Sequence, residues 1–427
     1  MKESKQFDVV IVGGGMIGAS MALALAPLPI RIAVVDVYSH DHQKQPSFDD
    51  RSIALSYGSR VIFEAMNVWQ DLEPQTEAIR HIHVSDKGHM GMCRLHAEEY
   101  GTEALGYVVE NRVAGNVFHR LLEQHTNITV ITPAQVTAVE HIDKKAILTI
   151  DREGSLSDLS CRLVIAADGT HSPIATQLAV EKVQSDYEQM AVICNIVTSH
   201  HKAGWAYERF TDTGPLAFLP LTNQRISVVW SFAPEQRELI EEMTEKEFRE
   251  ALQQHFGFRT GNIERVGKRV IYPLSLRQLK VGFKKRVAFI GNALHTGHPV
   301  AGQGFNLGLR DIAQLTEVVA TAVSNNDDIG SYSNLDKFWT HRKNDIQSTL
   351  SSTDALARLF ANKSSVLTIA RNGLLKWLDV LGPVKTEFSA FAMGQKSNLP
   401  SLARGIPLND IHFWPKLNAH SKSNSGV

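Results

Sequence analysis

The sequence predicts an α/β fold, with a parallel sheet near the amino terminus and a second, α+β unit built on an antiparallel sheet. Three observations support this prediction. A β-branched run, Val9–Val12, passes through closely spaced glycines into an alanine-rich segment, which is typical of a strand followed by a helix. Further buried-strand patterns lie at 163–167 and 286–290. Alternating apolar patterns recur between 190 and 232, as in antiparallel strands. We expect a charged helix after them at about 235–255, an amphipathic helix at about 305–323 and a further helix at 335–360.

Composition limits the class of protein. The 427 residues include 44 Lys and Arg against 45 Asp and Glu, a net charge of −1. The length predicts about two or three domains, and a near-neutral chain has no field that would hold a polyanion, so we expect no nucleic acid partner. The three cysteines form no CxxC pair, which favours a reducing compartment and a cytoplasmic location.

One uncharged run, residues 9–30, is long enough to cross a membrane. Lys2 and Lys5 precede it, as in a signal peptide. However, four glycines interrupt the run and two prolines close it, so a turn between a strand and a helix is favoured over a targeting or spanning segment.

The glycines of this run follow the GxGxxG pattern of dinucleotide-binding βαβ units. Gly13 permits a tight turn, Gly15 lets the backbone approach a pyrophosphate, and Gly18 allows close packing of helix on sheet. Asp36 ends the next strand, where a carboxylate can bind ribose hydroxyls. The pattern predicts a dinucleotide site but does not separate NAD from FAD.

Two later segments suggest FAD. One is an Asp168-Gly169 turn after a buried strand, and the other joins Gly291-Asn292 to Gly302-Gln303-Gly304 and Asn306. With 50–56, 109–113 and 207–215, these segments resemble the single-component FAD-dependent aromatic hydroxylases of the p-hydroxybenzoate hydroxylase type, and more narrowly the ubiquinone-biosynthesis hydroxylases. The resemblance extends from residue 7 to about 405 and implies a Rossmann-like FAD-binding domain, an antiparallel-sheet substrate domain and C-terminal helices.

The resemblance also implies roles for individual residues. Asp168 and Gly169 would lie near the FAD pyrophosphate, and Arg51 would neutralise phosphate charge. Glu110 and Arg112 would start a helix that borders the ribityl chain.

The pyrimidine edge of the flavin would lie along Gly302, Gln303, Gly304 and Asn306, where a helix N-terminus favours negative charge. This family has Gly-Asp where the present chain has Gly291-Asn292. Asn292 retains an acceptor oxygen, so we expect FAD to bind, through a weaker hydrogen bond.

Candidate catalytic residues are few, because the flavin carries the oxygen chemistry. By resemblance, Pro299 lies on the substrate side of the ring, where its carbonyl could touch the reacting group. His298 or His295 could relay a proton from a phenol, and His171 is a weaker candidate, although capping a turn is the commoner use of such histidines. No metal site is expected.

The expected domain boundaries follow the same resemblance. The FAD-binding domain comprises 1–80, 105–187 and 273–330, the substrate domain comprises 81–104 and 188–272, and a helical region with a polar tail covers 331–427. His81 and His83 alternate on one strand of the second layer, but no carboxylate or cysteine joins them as a metal ligand. The apolar segment 366–381 could contact a membrane surface or pack on its own domain.

The implied activity is that of an FAD-dependent monooxygenase which hydroxylates a polyprenylated phenol in ubiquinone biosynthesis. NAD(P)H would reduce the flavin and oxygen would form a C4a-hydroperoxide. The implied partners are the polyprenyl phenol, a ubiquinone-biosynthesis complex and a membrane surface that the protein contacts peripherally. Two alternatives remain: a flavin hydroxylase of a small soluble aromatic, and a non-catalytic FAD-binding scaffold.

Overall fold

The computed structural model describes residues 5–39, 51–89, 91–298, 302–361 and 399–410, with only the backbone described at 356–361. The strands are β1 (Lys5–Gln6), β2 (Val9–Val12), β3 (Ile32–Val35), β4 (Ser52–Ser56), β5 (Glu77–Ile79), β6 (His81–Asp86), β7 (Met92–His96), β8 (Gly106–Glu110), β9 (Ile128–Ile131), β10 (Gln135–Ile142), β11 (Lys145–Arg152), β12 (Ser155–Cys161), β13 (Leu163–Ala166), β14 (Lys182–Thr198), β15 (Trp205–Thr211), β16 (Gly214–Leu221), β17 (Arg225–Phe232), β18 (Ile263–Val266), β19 (Val270–Leu279), β20 (Phe283–Lys284), β21 (Val287–Phe289) and β22 (His295–Thr296). The helices are α1 (Met16–Leu25), α2 (Tyr57–Ala65), α3 (Trp69–Leu72), α4 (Asn111–Glu123), α5 (Pro173–Gln177), α6 (Arg237–Glu242), α7 (Glu245–Phe256), α8 (Gln303–Ser324) and α9 (Tyr332–Ala361).

The predicted parallel sheet is present, in the order β20-β21-β13-β2-β3-β9. All of its pairs are parallel except the one between β20 and β21. Strands β2, β3 and β13 are buried at every position, because helices or other strands cover both faces. Their carboxyl ends meet at one edge, which brings Gly13, Asp36 and Ala167 together and forms the floor of the predicted dinucleotide site.

The second layer is a large sheet in the order β22-β19-β14-β17-β16-β15-β6-β7, with β18 paired to β14. Its pairs are antiparallel except β15 with β6. The four strands predicted between 190 and 232 are present, and the strand at His81–Asp86 joins them as expected. Two smaller sheets have the orders β1-β12-β11-β10 and β4-β8-β5.

The two faces of the large sheet differ. One face packs against α7 through an aromatic cluster that includes Phe218, Trp230, Phe248 and Phe256. The other face, whose side chains alternate with these, contacts β5, β8 and α9 through β16. We call this second side the inner face, because it packs against the small sheet β4-β8-β5 and against α9.

The single helix expected at 235–255 is wrong, because the chain forms α6 and α7 with a break between them. Thr244 has extended backbone angles at the break and caps α7. Its Oγ1 accepts the N–H of Glu247 at 3.3 Å, while Glu247 Oε2 accepts the Thr244 N–H at 2.9 Å. This reciprocal capping box satisfies backbone donors that a continuous helix would bond internally, so the helix restarts here.

The expected domain boundaries at 187/188 and 272/273 fall inside β14 and β19, two long strands that pair with each other. The expected helix at 335–360 corresponds to α9, whereas the segment 366–381 lies outside the described residues. Within the residues that the structure describes, no helix is long and apolar enough to cross a membrane.

Candidate functional site

The predicted phosphate-binding turn has the tight geometry that its glycines suggested. Gly13 has a φ of +100°, and a Cβ there would lie 2.4 Å from the carbonyl oxygen of Ala167. A Cβ at Gly18 would lie 1.8 Å from the carbonyl oxygen of Gly13. Gly15 is the N-cap of α1, and no side chain caps it. The first N–H groups of α1 therefore point out of a turn that only glycine can form, as an anion site requires.

Asp36 lies beside this turn. Its Oδ2 accepts the N–H of Gly14 at 2.5 Å, and its Oδ1 accepts the N–H of Tyr38 at 2.8 Å. The carboxylate is thus fixed at the carboxyl end of β3, next to the glycine turn, where a ribose diol could donate hydrogen bonds to it.

Asp168 has a buried oxygen that suits a ligand at the phosphate turn. Its Oδ2 accepts hydrogen bonds from Ser172 Oγ at 2.9 Å and from the Ile174 N–H at 3.3 Å. Its Oδ1 is buried with no hydrogen-bond partner. Desolvation raises the pKa of Asp168, partly offset by the hydrogen bond from Ser172. The Cα of Asp168 would lie 3.1 Å from a Cβ at Gly13, so this orphaned oxygen is beside the phosphate turn.

Gly169 follows with a φ of +86° and open space where a Cβ would project. The buried acceptor, the open Gly169 position and the bare turn fit a dinucleotide whose pyrophosphate brings bound water or other donors to this edge.

The Gly291-Asn292 turn is held by residues that sequence reasoning missed. The N–H of Gly291 donates to Asp311 Oδ2 at 3.0 Å, and His295 Nε2 lies 2.7 Å from the same oxygen. Arg342 Nε donates to Asp311 Oδ1 at 2.8 Å. The three side chains are at most 5% exposed, so this is a buried ion-pair network. A polar Asp in the middle of a predicted amphipathic helix was the only signal in the sequence.

The network determines the protonation of Asp311. Burial alone would raise its pKa, but the charges of His295 and Arg342 and the hydrogen bonds from His295 and Gly291 lower it on balance. Arg342 also pairs with Asp345 and donates from Nη2 to the Leu307 carbonyl at 3.2 Å. The turn is thereby tied to both α8 and α9, while Asn292 itself is exposed and open to a ligand.

The Gly302 turn precedes α8. Gly302 has a φ of +59°, and its Cβ would lie 3.1 Å from the Cβ of Ala54 on β4. Asn306 fastens the turn: its Nδ2 donates to the carbonyls of Gly302 at 2.8 Å and Ala54 at 3.0 Å. Its Oδ1 accepts the N–H of Ser56 at 2.9 Å and the Oγ of Ser59 at 2.7 Å. The Asn306 side chain is therefore fully occupied and positions the turn, so any contact with a cofactor would use the backbone.

Gln303 and Gly304 form the first turn of α8. Gln303 is buried, whereas a Cβ on Gly304 would meet no atom within 4 Å. No acidic side chain occupies this helix N-terminus. The open position suits close approach of a planar ring whose edge carries negative charge.

Three residues were expected near FAD, namely Arg51, Arg112 and Glu110, and one of them forms a structural ion pair instead. The carbonyl of Arg51 accepts the N–H of Asn111 at the start of α4, and Arg112 is exposed in the first turn of that helix. Glu110, however, is buried and forms a two-pronged pair with Arg225 at 2.8 and 2.7 Å. Glu110 therefore joins the large sheet to β8, which leaves Arg51 and Arg112 as the candidate cofactor contacts here.

The candidate histidines differ in their surroundings. His295 is hydrogen-bonded to Asp311. His298 is 2% exposed and hydrogen-bonds through Nε2 to Gln189 Oε1 at 3.0 Å. Desolvation lowers the pKa of His298 to about 4, with a small opposing effect from Asp354. His171 contacts Arg277. His298 is therefore neutral at neutral pH, which suits a hydrogen-bonding role, while Pro299 lies outside the described residues.

His81 and His83 lie against aromatic rings. Both lie on the α7-side face of the large sheet, where they contact the rings of Trp205 and Tyr207. Among the described residues, no group of three or more His, Cys, Asp or Glu side chains could hold a metal ion.

The architecture combines a glycine turn on a parallel sheet, a second Asp-Gly turn beside it and a large, mostly antiparallel second sheet. It is that of flavoproteins of the p-hydroxybenzoate hydroxylase type. Residues 6–350 match the family model described as FAD binding domain, and the chain belongs to this family.

The relatives agree with this assignment. Ubiquinone hydroxylase UbiL of Rhodospirillum rubrum is 31% identical over 413 residues, which cover 95% of this chain and 94% of the relative. The 3-demethoxyubiquinol 3-hydroxylase of Escherichia coli is 27% identical, covering 91% of this chain and 98% of that protein. The crystal structure of p-nitrophenol 4-monooxygenase PnpA from Pseudomonas putida superposes with a TM-score of 0.79 at 17% identity, covering 92% and 100% of the two chains.

The resemblance inferred from the motifs is thus confirmed. The protein is an FAD-dependent aromatic monooxygenase, and NAD(P)H is the reductant typical of its family.

Proposed function

We propose that the protein hydroxylates the ring of a polyprenylated phenol on the route to ubiquinone. The observation that carries the proposal is an aliphatic patch on the inner face of the large sheet. Along adjacent strands this patch presents Ala217, Val229 and Ile193, and the names of the two relatives point to ubiquinone and its precursors. An aliphatic wall of this kind can bury a prenyl chain and exclude water.

The residues of the chain have separable tasks in this activity. The Gly13 turn and Asp36 would bind the adenosine half of FAD, and Asp168 with Arg51 would lie at the pyrophosphate. Bound FAD supplies the redox chemistry with NAD(P)H and oxygen. The N-terminus of α8 at Gly302 would stabilise negative charge at the pyrimidine edge of the ring. The inner face would orient the phenol and keep water away.

Among prenyl phenols, the methoxylated substrate of 2-octaprenyl-6-methoxyphenol hydroxylase is the one we favour, since the motifs of this chain are most like that enzyme. We further propose a cytoplasmic protein that meets the membrane, where such a substrate resides, through the apolar segment 366–381. A ubiquinone-biosynthesis complex is the proposed assembly.

The substrate class is tested with purified FAD-loaded enzyme, NAD(P)H and oxygen. A phenol with a geranyl chain and the same phenol without the chain are compared by the rate of product formation over a range of substrate concentrations. We expect the prenylated phenol to be hydroxylated with higher kcat/KM. Equal use of the free phenol would favour a small soluble aromatic substrate, and failure of NAD(P)H to bleach the flavin with either phenol present would favour a scaffold.

The pathway is tested in a deletion strain grown in air. Lipid extracts should contain a polyprenyl methoxyphenol and little ubiquinone, and normal ubiquinone would contradict the proposal. Membrane contact is measured separately by flotation of the full chain with phospholipid vesicles.

A further inference from the structure

Glu208 is the one acidic side chain in a cross-strand row of the inner face. The row runs from Val84 on β6 through Glu208 on β15 and Ala217 on β16 to Val229 on β17 and Ile193 on β14. Partners directly opposite each other in a sheet point to the same side, so Glu208 projects from an otherwise aliphatic wall. The sequence alone marked it only as part of a family motif.

The orientation of Glu208 follows from its neighbours on β15. Ala206, two residues earlier, packs with Ile79 and Val108 of the small sheet. Phe210, two residues later, packs with Leu105. Side chains two apart on a strand share a face, so Glu208 points between these two contacts, toward the small sheet and the flavin domain.

The Gly302 turn lies on the same side of that small sheet. Ala54 on β4 is the cross-strand partner of Val108 on β8, so both side chains point to one face. Val108 contacts the inner face at Ala206, and the Cβ of Ala54 touches the Gly302 turn. The space in front of Glu208 is therefore bounded by the large sheet, the small sheet and the turn that would hold the reactive end of FAD.

Glu208 is closely surrounded by protein, but its carboxyl forms no hydrogen bond or ion pair with any described residue. Its side chain is nevertheless only partly covered, so a ligand can reach the carboxyl. An unpaired carboxyl in such a place is costly for folding, as expected when a group serves a ligand instead.

We propose that Glu208 is the base that accepts the hydroxyl proton of the phenol during ring hydroxylation. The O–H bond of the phenol breaks, its proton passes to the carboxylate, and the electron pair remains on the phenolate oxygen, which makes the ring more nucleophilic. This inference rests on the proposed function, since it requires a phenolic substrate.

The acidity of Glu208 fits that task. Desolvation by burial raises its pKa to about 7, so the carboxylate and the acid are both populated near neutrality. Other titratable groups on elements around the inner face include Tyr57, Glu77, Asp86, Cys93, Glu110, Tyr272 and Asp354. Glu110 is paired with Arg225, so its charge is compensated, and Asp86 lies 3.3 Å from His89.

The first experiment needs no variant. Binding of geranyl phenol and of its methyl ether to the FAD-loaded enzyme is followed by the change in flavin absorbance. We expect the phenol to bind about tenfold more tightly, because only the phenol can donate a charge-assisted hydrogen bond. This preference should increase as pH rises through about 7, where Glu208 ionises. Equal affinities at all pH values would overturn the inference.

The second experiment compares Glu208→Gln with Glu250→Gln, a matched change on the exposed side of α7. Both variants should retain FAD, and NAD(P)H should reduce the flavin at the wild-type rate. Hydroxylation by E208Q should fall about 100-fold and lose its rise with pH. A ring-fluorinated prenyl phenol, which ionises more readily, should restore part of the rate.

The outcomes separate the two claims. Hydroxylation by E208Q at the wild-type rate, with the same pH profile, would refute the role of Glu208 while leaving the proposed function intact. If the wild-type enzyme reduces its flavin but neither binds nor hydroxylates a prenyl phenol at any pH, the proposed function itself fails.

Discussion

Replacing Asp311 with Asn tests whether the buried network supports the fold and the cofactor turn together. Both oxygens of Asp311 are in use: Oδ2 faces His295 and the Gly291 N–H, and Oδ1 accepts from Arg342. Asparagine keeps the shape but removes the charge and one acceptor. Among the described residues, Arg342 then has only Asp345 to offset its buried charge, and Asp345 also pairs with Arg310.

The expected loss of folding stability follows from the burial of Asp311. Breaking a buried ion pair by removing one partner costs about 3–5 kcal/mol, because the remaining charge is uncompensated. The matched control is Asp71→Asn, which removes a surface pair with Arg120 at 2.7 Å whose side chains are 37% and 57% exposed. Such exposed pairs contribute about 0.2–1 kcal/mol. We therefore expect D311N to melt on the order of 2–5 °C below D71N, since the unfolding entropy of a chain of 427 residues is large.

The assay is a thermal melt of both variants, with and without added FAD, together with FAD affinity from flavin fluorescence. D311N should also bind FAD more weakly, because the Gly291 turn loses its anchor. The folded pKa of Asp311 is lowered, so its stabilisation is present above the unfolded pKa and is lost as pH falls through the folded one. As the pH is lowered, the stability of D311N should therefore fall less than that of the wild-type protein. Equal melting of D311N and D71N would refute the reasoning.

Three further predictions concern the cofactor edge and the pH profile. Gly304→Ala should leave the melting temperature of the FAD-free protein equal or higher, since the added Cβ meets no atom within 4 Å. The same change should weaken FAD binding, and an unchanged affinity for FAD would place Gly304 away from the cofactor. Asp168→Asn should stabilise the FAD-free protein at neutral pH, because burial raises the pKa of this carboxyl and so penalises its ionised form. The same variant should bind FAD less tightly, and a destabilised FAD-free protein with normal FAD binding would contradict this. His298→Gln should keep the pH dependence of hydroxylation near neutrality, because the pKa of His298 is lowered to about 4; loss of that dependence would make His298 the titrating group instead of Glu208.

The phosphate turn could be predicted in detail because its requirements are local. Gly13 and Gly18 are needed where a Cβ would strike a backbone carbonyl, and both contacts involve the same strand–turn–helix unit and its neighbouring strand. The strands of the large sheet were also predictable, because alternation with a period of two is a local property of a half-buried strand. The capping box at Thr244 was present in the sequence but was not recognised.

The buried network was not predictable in the same way. Asp311 and Arg342 lie on different helices, 31 residues apart, and only the packing of α8 on α9 brings their side chains together. Likewise, the sequence of β15 shows that Glu208 and Tyr207 lie on opposite faces of the strand. It does not show which of the two side chains lies on the inner face.

Local chemistry in the chain was thus enough to specify the class of fold, the cofactor and the turns that would bind it, because each depends on a few neighbouring residues and their backbone geometry. The environment of each charged side chain was settled only when distant elements packed. Asp311 becomes a paired, acidic carboxylate and Glu208 an unpaired one with a pKa near neutrality, although the two side chains belong to the same chemical class. Desolvation and the presence or absence of a partner make this difference, and both are properties of the tertiary structure.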